Sequence, residues 1–192
     1  MRKVLVFGGT RYFGKRLVDL LLENGDQVTI ATRGNVKDDF GNLVSRIQVD
    51  RASEKSMVEN FSDSEIWDVI YDNICYSSNE AKIAMNLFKD KVKKYVFTST
   101  MSVYGFGKQA LVESNFDSTV YPIKMLNRSD TDYGEAKRMA EAYFIQNATF
   151  PVTAPRFPIV LGLDDFTKRL HFHIERISKG QEIGFQSAEA KI

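Results

Sequence analysis

Short apolar runs alternate with longer amphipathic stretches along most of the chain. The runs have the length and residue content of buried strands, and they cover Lys3 to Phe7, Gln27 to Ala31, Arg46 to Val49, Trp67 to Asp72, Tyr95 to Ser99 and Val152 to Arg156. The stretches between them carry apolar residues at helical spacing over Phe13 to Glu23, Ser78 to Lys89 and Asp132 to Gln146. Strands that alternate with helices are typical of parallel β-α-β units. The pattern therefore predicts an α/β fold with a doubly wound parallel sheet.

Two parts of the chain depart from this alternation. Residues Gly105 to Ser129 show no clear periodicity, and connections of this length are usually functional or disordered. Beyond Arg156 the pattern predicts a helix over Lys168 to Ser178, and residues 182 to 192 end without a cap, a turn or a polar tail. We therefore expect the chain to stop inside a structural element.

Composition narrows the class of protein. The 192 residues are 43% hydrophobic and 27% charged, with a formal net charge of +1, and no apolar run approaches the length of a membrane span. The first residues form a buried strand that leads into two glycines, unlike a secretion signal, so we expect a cytoplasmic protein. Charged residues are not gathered into blocks, which disfavours nucleic acid as a partner.

Cysteine and histidine content limits the chemistry that the chain can perform alone. Cys75 is the single cysteine, and the two histidines, His171 and His173, have no cysteine near them in sequence. An internal disulfide is excluded, and this set of residues does not predict a metal site. Redox chemistry would therefore require a bound cofactor.

The first strand leads directly into a glycine-rich turn, GGTRYFG, and then into a helix. Gly8 and Gly9 allow a sharp turn, and Gly14 allows the helix to pack closely on the strand. The amino end of the helix offers unpaired N–H groups to a pyrophosphate. Arg11 stands where a middle glycine is expected, so a glycine turn that binds nothing remains an alternative.

The end of the second strand bears on the choice of cofactor. Arg33 lies nineteen positions after Gly14, close to the spacing of about 20 at which a residue contacts the adenosine ribose. Together with Arg11 it could clamp a 2′-phosphate, which favours NADP over NAD. The alternative is a solvated arginine in a loop.

A tyrosine and a lysine four positions apart suggest proton chemistry. Tyr133 and Lys137 would lie on one face of the third predicted helix, where an ammonium favours the phenolate form of a nearby tyrosine. Tyr104 and Lys108 have the same spacing, but two glycines between them disfavour a helix. We therefore prefer Tyr133, although an exposed tyrosine beside a charged neighbour is the alternative.

A cluster of hydroxyl residues, Thr98 to Ser102, follows the apolar part of the fifth strand. Ligands of open α/β sheets bind at the carboxyl ends of the strands, so one of these hydroxyls could orient a substrate oxygen. Serine and threonine are also common in turns, so the cluster carries weight only in combination with the other motifs.

In this order, the segments GGTRYFG, TRG, YVFTSTMSVYG, YGEAK and PRFPIVLG resemble the extended short-chain dehydrogenase/reductases. The resemblance is to the NAD(P)-dependent epimerase/dehydratase family, in particular its atypical GGTR-type branch, and it spans essentially the whole chain. It implies an NAD(P)-binding Rossmann fold. It also implies cofactor contacts from Gly8, Gly9, Thr10, Arg11, Tyr12 and Phe13 at the pyrophosphate, Arg33 at the ribose, Asp50 near the adenine, Ile74 and Cys75 beside the cofactor, and Phe157 beside the nicotinamide.

The same resemblance implies three catalytic residues. Thr100 matches the family's serine or threonine, Tyr133 its base, and Lys137 the lysine that also binds the cofactor ribose. Two departures from the family pattern are Arg11 in place of glycine and the long separation between Thr100 and Tyr133. The resemblance further implies that residues 1–156 form the cofactor domain, that 157–192 begin a substrate region, and that the chain pairs as a homodimer through its second and third predicted helices.

Two functions of different kinds follow from these observations. The first is an enzyme, an epimerase, dehydratase or reductase that acts on a carbinol or keto group, with a nucleotide sugar as the substrate implied by the family. The second is a module of the same fold that senses a cofactor or binds RNA without turnover. A purely structural partner protein would make no use of the motifs.

Overall fold

A computed structural model describes residues 1–63, 65–105, 110–162 and 164–184. Its centre is a six-stranded sheet in which every pairing is parallel, with the order β3-β2-β1-β4-β5-β7. The strands of this sheet are β1 (Lys3–Phe7), β2 (Gln27–Thr32), β3 (Val44–Gln48), β4 (Val69–Asp72), β5 (Tyr95–Phe97) and β7 (Val152–Thr153). The strand order reverses between β1 and β4, which opens a crevice at the carboxyl ends of these two strands. The predicted doubly wound α/β fold is therefore confirmed.

The helices α1 (Tyr12–Glu23), α3 (Ser78–Phe88), α4 (Tyr133–Asn147) and α5 (Arg169–Ser178) lie where the sequence pattern placed them. A further helix, α2 (Glu54–Phe61), was not predicted. It is short, and only Met57 and Phe61 are buried, so its apolar pattern is weak. Within the described ranges, no helix combines the length and the apolar character that a bilayer span requires.

Two predicted strands are each divided in the structure. A short parallel pair, β6 (Ser99–Thr100) and β8 (Arg156–Phe157), leaves the main sheet. Pro155 lies at the break. Because proline has no N–H to donate, the ladder from β7 cannot continue through it, while its carbonyl accepts a hydrogen bond from the Ser99 N–H at 2.9 Å. The predicted domain boundary, between residues 156 and 157, falls inside β8.

Helices cover both faces of the sheet, and β1 contributes to both hydrophobic cores. Val4 and Val6 enter one core, whereas Leu5 and Phe7 enter the other. Successive strand residues point to opposite faces, so a strand that is covered on both sides is apolar throughout. This explains why β1 appears in the sequence as a continuous apolar run.

The aperiodic part of the chain includes a segment, residues 118–128, that lies along α3 and α4. The side-chain amide of Gln146 donates to the carbonyls of Ser118 and Tyr121, both at 2.8 Å. Ser78 donates to the carbonyl of Lys124 at 2.7 Å and accepts from the N–H of Leu126 at 2.9 Å. These contacts give the segment a defined path that ends beside the start of α3.

Candidate functional site

The glycine turn packs too tightly for side chains at Gly8, Gly9 and Gly14. Gly8 has a φ of +80°, and a Cβ at Gly14 would lie 2.2 Å from the carbonyl oxygen of Gly8. A Cβ at Gly8 would in turn lie 2.8 Å from Ile74 Cγ2. The turn after β1 therefore brings the start of α1 and the loop after β4 close to one another, as a phosphate-binding turn requires.

The amino end of α1 has the character of an anion site. Arg11 takes the N-cap position with extended backbone angles, and no side chain of the described residues caps the helix. The N–H groups of the first turn thus have no capping partner there, and the helix dipole favours an anion. Thr10 is half-buried in the turn, and the ring of Phe13 lies 6.2 Å from that of Phe157.

Tyr12 has a different environment from the one that its motif suggests. Its side chain is buried against Gly162, and burial raises the pKa of its hydroxyl. Its φ of +52° is unusual for a residue with a side chain. Of the groups of Tyr12, the backbone N–H is therefore suited to contact a pyrophosphate, and the buried hydroxyl is not.

The loop after β4 lines the other side of the crevice. Ile74 lies next to Gly8, while Cys75 is fully buried. Burial raises the pKa of the Cys75 thiol to about 12, so this thiol is not a nucleophile at neutral pH. The backbone carbonyl of Cys75 instead accepts a hydrogen bond from Lys137.

Lys137 has the most constrained side chain of the predicted catalytic set. Its Nζ donates to the carbonyls of Cys75 at 2.8 Å and Thr98 at 2.6 Å, at the carboxyl ends of β4 and β5. It also lies 4.1 Å from the centre of the Phe97 ring. The residue is 2% exposed, and burial lowers its pKa to about 8. The lysine predicted from its spacing to Tyr133 and from the family resemblance is thus held by carbonyls that follow two adjacent strands.

Tyr133 is the first residue of α4 and is 51% exposed. The Asp132 carboxylate caps this helix by accepting from the N–H of Glu135 at 3.0 Å. Tyr133 lines an opening of about 250 Å³ together with Tyr76, Arg128 and Ala136. Its ring centre lies 6.2 Å from that of Tyr76. The phenol is therefore accessible to a ligand.

Thr100 is close to the start of α4. A Cβ at Gly134 would lie 2.8 Å from the carbonyl oxygen of Ser102, so the helix start approaches the turn that follows Thr100. The Thr100 hydroxyl accepts from the N–H of Ser102 at 3.2 Å, and Thr100 pairs with Phe157 across β6 and β8. The fold therefore brings the predicted hydroxyl, the predicted nicotinamide neighbour and the tyrosine helix to one edge.

The competing tyrosine has a structural partner. Tyr104 accepts a hydrogen bond from Arg156 at 2.8 Å, and the Arg156 guanidinium lies 5.0 Å from the centre of the Tyr104 ring. Arg156 also forms an ion pair with the buried Glu141 at 2.6 Å. Lys108, the other half of the competing motif, lies outside the described residues. This geometry favours Tyr133 over Tyr104.

The residues predicted at the adenosine end lie after neighbouring strands. Arg33 and Asp50 are exposed where β2 and β3 end, and Gln48 joins the two loops by donating to the carbonyl of Arg33 at 3.2 Å. The Arg11 guanidinium lies 5.3 Å from the centre of the Phe166 ring. The clamp of Arg11 and Arg33 on a 2′-phosphate stays a prediction.

Sequence reasoning missed a buried charged network beneath the crevice. The carboxylate of Asp72 accepts from Arg51 Nε at 3.0 Å, from Arg51 Nη2 at 2.6 Å and from the Tyr95 hydroxyl at 2.6 Å. Its other oxygen accepts from the N–H of Ile74 at 3.2 Å. The network links the loop that carries Asp50 to the loop that lines the crevice. The one signal for this network in the sequence was the aspartate that ends the apolar run of β4.

The fold and the arrangement of its loops define a doubly wound, Rossmann-like α/β domain with a crevice where the strand order reverses. No protein-family model matches the chain. Among solved structures, UDP-glucose 4-epimerase from Thermotoga maritima superposes with a TM-score of 0.70 at 19% identity, over 97% of this chain and 66% of that one. The Bordetella bronchiseptica enzyme WbmH, in complex with NAD+, gives a TM-score of 0.67 at 19% identity, over 95% of this chain and 64% of its own. These likenesses establish the fold.

One further solved structure and one curated protein extend the comparison. The Bordetella bronchiseptica enzyme WbmG, in complex with NAD and UDP, gives a TM-score of 0.64 at 16% identity, over 95% of this chain and 61% of that one. The chloroplast stem-loop binding protein of 41 kDa b from Arabidopsis thaliana is 29% identical over an alignment of 115 residues, and the match covers 54% of this chain and 30% of that protein. The chain thus spans less than two thirds of each of these relatives.

Proposed function

We propose that this chain binds NAD or NADP and contains the catalytic residues of an epimerase, dehydratase or reductase that acts on a carbinol or keto group of a nucleotide sugar. The observation that best supports the proposal is Lys137, which is held by the carbonyls of Cys75 and Thr98 and lies one helical turn from the accessible phenol of Tyr133. The solved structures of the same fold include a UDP-glucose 4-epimerase and enzymes in complex with NAD.

The residues of the turn fit a dinucleotide. A Cβ at Gly14 would fill the space beside the Gly8 carbonyl, and the first turn of α1 has no side-chain cap within the described residues. The pyrophosphate would bind there, with Arg33 and Asp50 at the adenosine end and Phe157 at the nicotinamide. When bound, the cofactor supplies the acceptor and donor of a hydride.

In this proposal, Tyr133 takes the proton of the carbinol while the Thr100 hydroxyl hydrogen-bonds to the same oxygen. Lys137 stabilises the phenolate by its charge, and it retains one N–H for a cofactor ribose because two are used by carbonyls. The carbonyl bonds fix the lysine before any ligand arrives. Positioned proton transfer of this kind contributes a factor of about 10² to 10⁴ to the rate.

Cofactor binding is tested by fluorescence titration with NADH and NADPH, and turnover with UDP-glucose as the probe substrate. Tyr133→Phe should retain cofactor binding and lose turnover by about a hundredfold or more. Tyr104→Phe is the matched control, because it also removes one phenol oxygen but alters only the contact with Arg156. Turnover that survives in Tyr133→Phe and fails in Tyr104→Phe would reverse the assignment.

A second candidate function is RNA binding, favoured by the likeness to the chloroplast stem-loop binding protein. The formal net charge of +1 provides little electrostatic attraction for a polyanion. A mobility shift with a stem-loop RNA at physiological salt tests this candidate. Binding that is undiminished by saturating NADH and unaffected by Tyr133→Phe would support an RNA module over the enzyme.

A further inference from the structure

The 118–128 segment ends at the opening that contains Tyr133. Its last part is fixed by the contact of Leu126 with Ser78, and by a 2.8 Å hydrogen bond from the Asn79 side chain to that of Asn127. A turn then leads into α4, because the N–H of Asn127 donates to the Asp130 carboxylate at 2.7 Å. The segment therefore places the next residue, Arg128, at a defined position.

The guanidinium of Arg128 is held on two sides. Its Nε and Nη2 lie 2.9 Å and 2.8 Å from Glu80 Oε1, and its Cζ lies 4.7 Å from the centre of the Tyr76 ring. The other carboxylate oxygen of Glu80 accepts from the N–H of Tyr76 at 2.9 Å. Stacking and ion pairing together fix the guanidinium before a ligand binds.

Part of the guanidinium remains available to a ligand. Within the described part of the chain, Arg128 Nη1 has no hydrogen-bond partner, and the side chain is 45% exposed. Arg128 lines the opening of about 250 Å³ with Tyr76, Tyr133 and Ala136, none of which is a basic residue. Arg128 is therefore the cation among these four lining residues.

We propose that Arg128 is a specificity-determining residue, which binds an anionic group of the substrate whose hydroxyl reaches Tyr133. This inference rests on the proposed function, because it assigns the reacting hydroxyl to the same opening. A guanidinium with a free edge is suited to carboxylate and phosphate oxygens, which share the chemistry that it recognises. Because Arg128 and Tyr133 line the same opening, the anionic group would lie near the reacting carbon. The substrate class is thus an anionic sugar, bearing either a carboxylate on the ring or a phosphate adjacent to it.

The test measures sugar-nucleotide binding by calorimetry to the chain saturated with NAD. Arg128→Gln should weaken binding of the anionic probe by about tenfold or more, as expected for the loss of a charge-assisted hydrogen bond. UDP-glucuronate and UDP-glucose distinguish the two sources of charge. Loss for UDP-glucuronate alone assigns the carboxylate, and equal loss for both assigns the phosphate. Unchanged affinity for both probes would overturn the inference.

Lys124→Gln is the matched control. It removes one positive charge from the same segment, and Lys124 is exposed and uses only its backbone in contacts with Ser78 and Met139. Binding of both probes should be unchanged in this variant. An equal loss in Lys124→Gln and Arg128→Gln would show a general charge effect and overturn the inference.

Glu80→Gln separates ligand binding from a structural role of the ion pair. Neutralising Glu80 removes the charge that competes for Arg128, so the affinity for the anionic probe should rise severalfold in Glu80→Gln. If the Arg128–Glu80 ion pair has only a structural role, the affinity should instead fall in both Glu80→Gln and Arg128→Gln. A fall in both, with lowered melting temperatures, would overturn the inference. NAD binding is measured in every variant: if the unmodified chain fails to bind NAD, the proposed function fails, whereas NAD binding without an effect of Arg128→Gln rejects only this inference.

Discussion

Replacing Arg51 tests whether the buried charged network holds the candidate site together. Arg51 is 2% exposed and Asp72 is fully buried, and one Asp72 oxygen accepts from Arg51 at both 3.0 Å and 2.6 Å. Arg51→Met keeps an unbranched chain of similar length and removes the guanidinium. Among the described residues, the carboxylate would then retain the Tyr95 hydroxyl and the N–H of Ile74 as donors.

The expected loss follows from leaving a buried carboxylate without its cation. Removing one partner of a buried ion pair costs about 3–5 kcal/mol, a large part of the roughly 5–15 kcal/mol by which domains are stable. Urea unfolding followed by circular dichroism at pH 7 measures this free energy. We expect the transition midpoint of Arg51→Met to fall by the corresponding amount, with the slope of the transition retained.

A matched variant shows whether the loss is specific to burial. Arg16 forms a 3.0 Å ion pair with Asp164, and its side chain is 62% exposed. Arg16→Met should lower the unfolding free energy far less than Arg51→Met, because water screens an exposed pair. The double variant Arg51→Met/Asp72→Asn should lose less than the two single losses added together, since it leaves no unpaired charge. Equal losses of unfolding free energy in Arg51→Met and Arg16→Met would refute the reasoning.

The remaining predictions concern the cofactor turn, the buried lysine and the choice of cofactor. Gly14→Ala places a Cβ 2.2 Å from the Gly8 carbonyl oxygen, so α1 must move. Titration with NADH should show at least a tenfold loss of affinity, and the free energy of unfolding should fall by about 1–3 kcal/mol. Burial lowers the pKa of Lys137 to about 8, so the unfolded chain binds the extra proton between pH 8 and the unperturbed pKa of 10.5. The unfolding free energy should therefore rise by up to about 3 kcal/mol across that window relative to Lys137→Met. Curves of unfolding free energy against pH that run parallel for the two proteins would contradict this prediction. NADPH should bind more tightly than NADH, and Arg33→Asp should shrink or reverse the preference; equal affinities in the unmodified chain would contradict this.

The sequence predicted the main elements because their hydrophobic patterns are strong. Successive residues of β1 enter the two cores in alternation, so the whole strand is apolar. It therefore appears in the sequence as an unbroken apolar run at the position that the structure confirms. The division of the predicted strand from Val152 to Arg156 was missed, although Pro155 offered a signal. A residue without an N–H cannot stay in the ladder, and the chain therefore continues in a second, smaller sheet.

The candidate site was predictable where a local motif defines the geometry. The spacing of Gly8 and Gly14 predicted a close contact, and the structure places the Gly8 carbonyl where a Cβ of Gly14 would lie. The spacing of Tyr133 and Lys137 predicted a shared helix, which the structure confirms. The link from Arg51 to Asp72 was not predictable, because the two residues belong to different elements and meet only after β1, β3 and β4 have assembled.

The aperiodic part of the chain makes contacts that its hydrophobic pattern does not predict. Residues 118–128 are held by individual bonds to Gln146, Ser78 and Asn79, and such bonds impose no period on the sequence. The segment lies along α3 and α4, the helices through which pairing of two chains was expected. A homodimer therefore stays a prediction, and pairing through these helices would have to include the segment. The long separation of Thr100 from Tyr133, which departs from the family pattern, contains the residues that bring Arg128 to the opening. In the proposal that Arg128 binds an anionic group of the substrate, substrate preference would be set by a segment that lies outside the six-stranded sheet and the glycine turn.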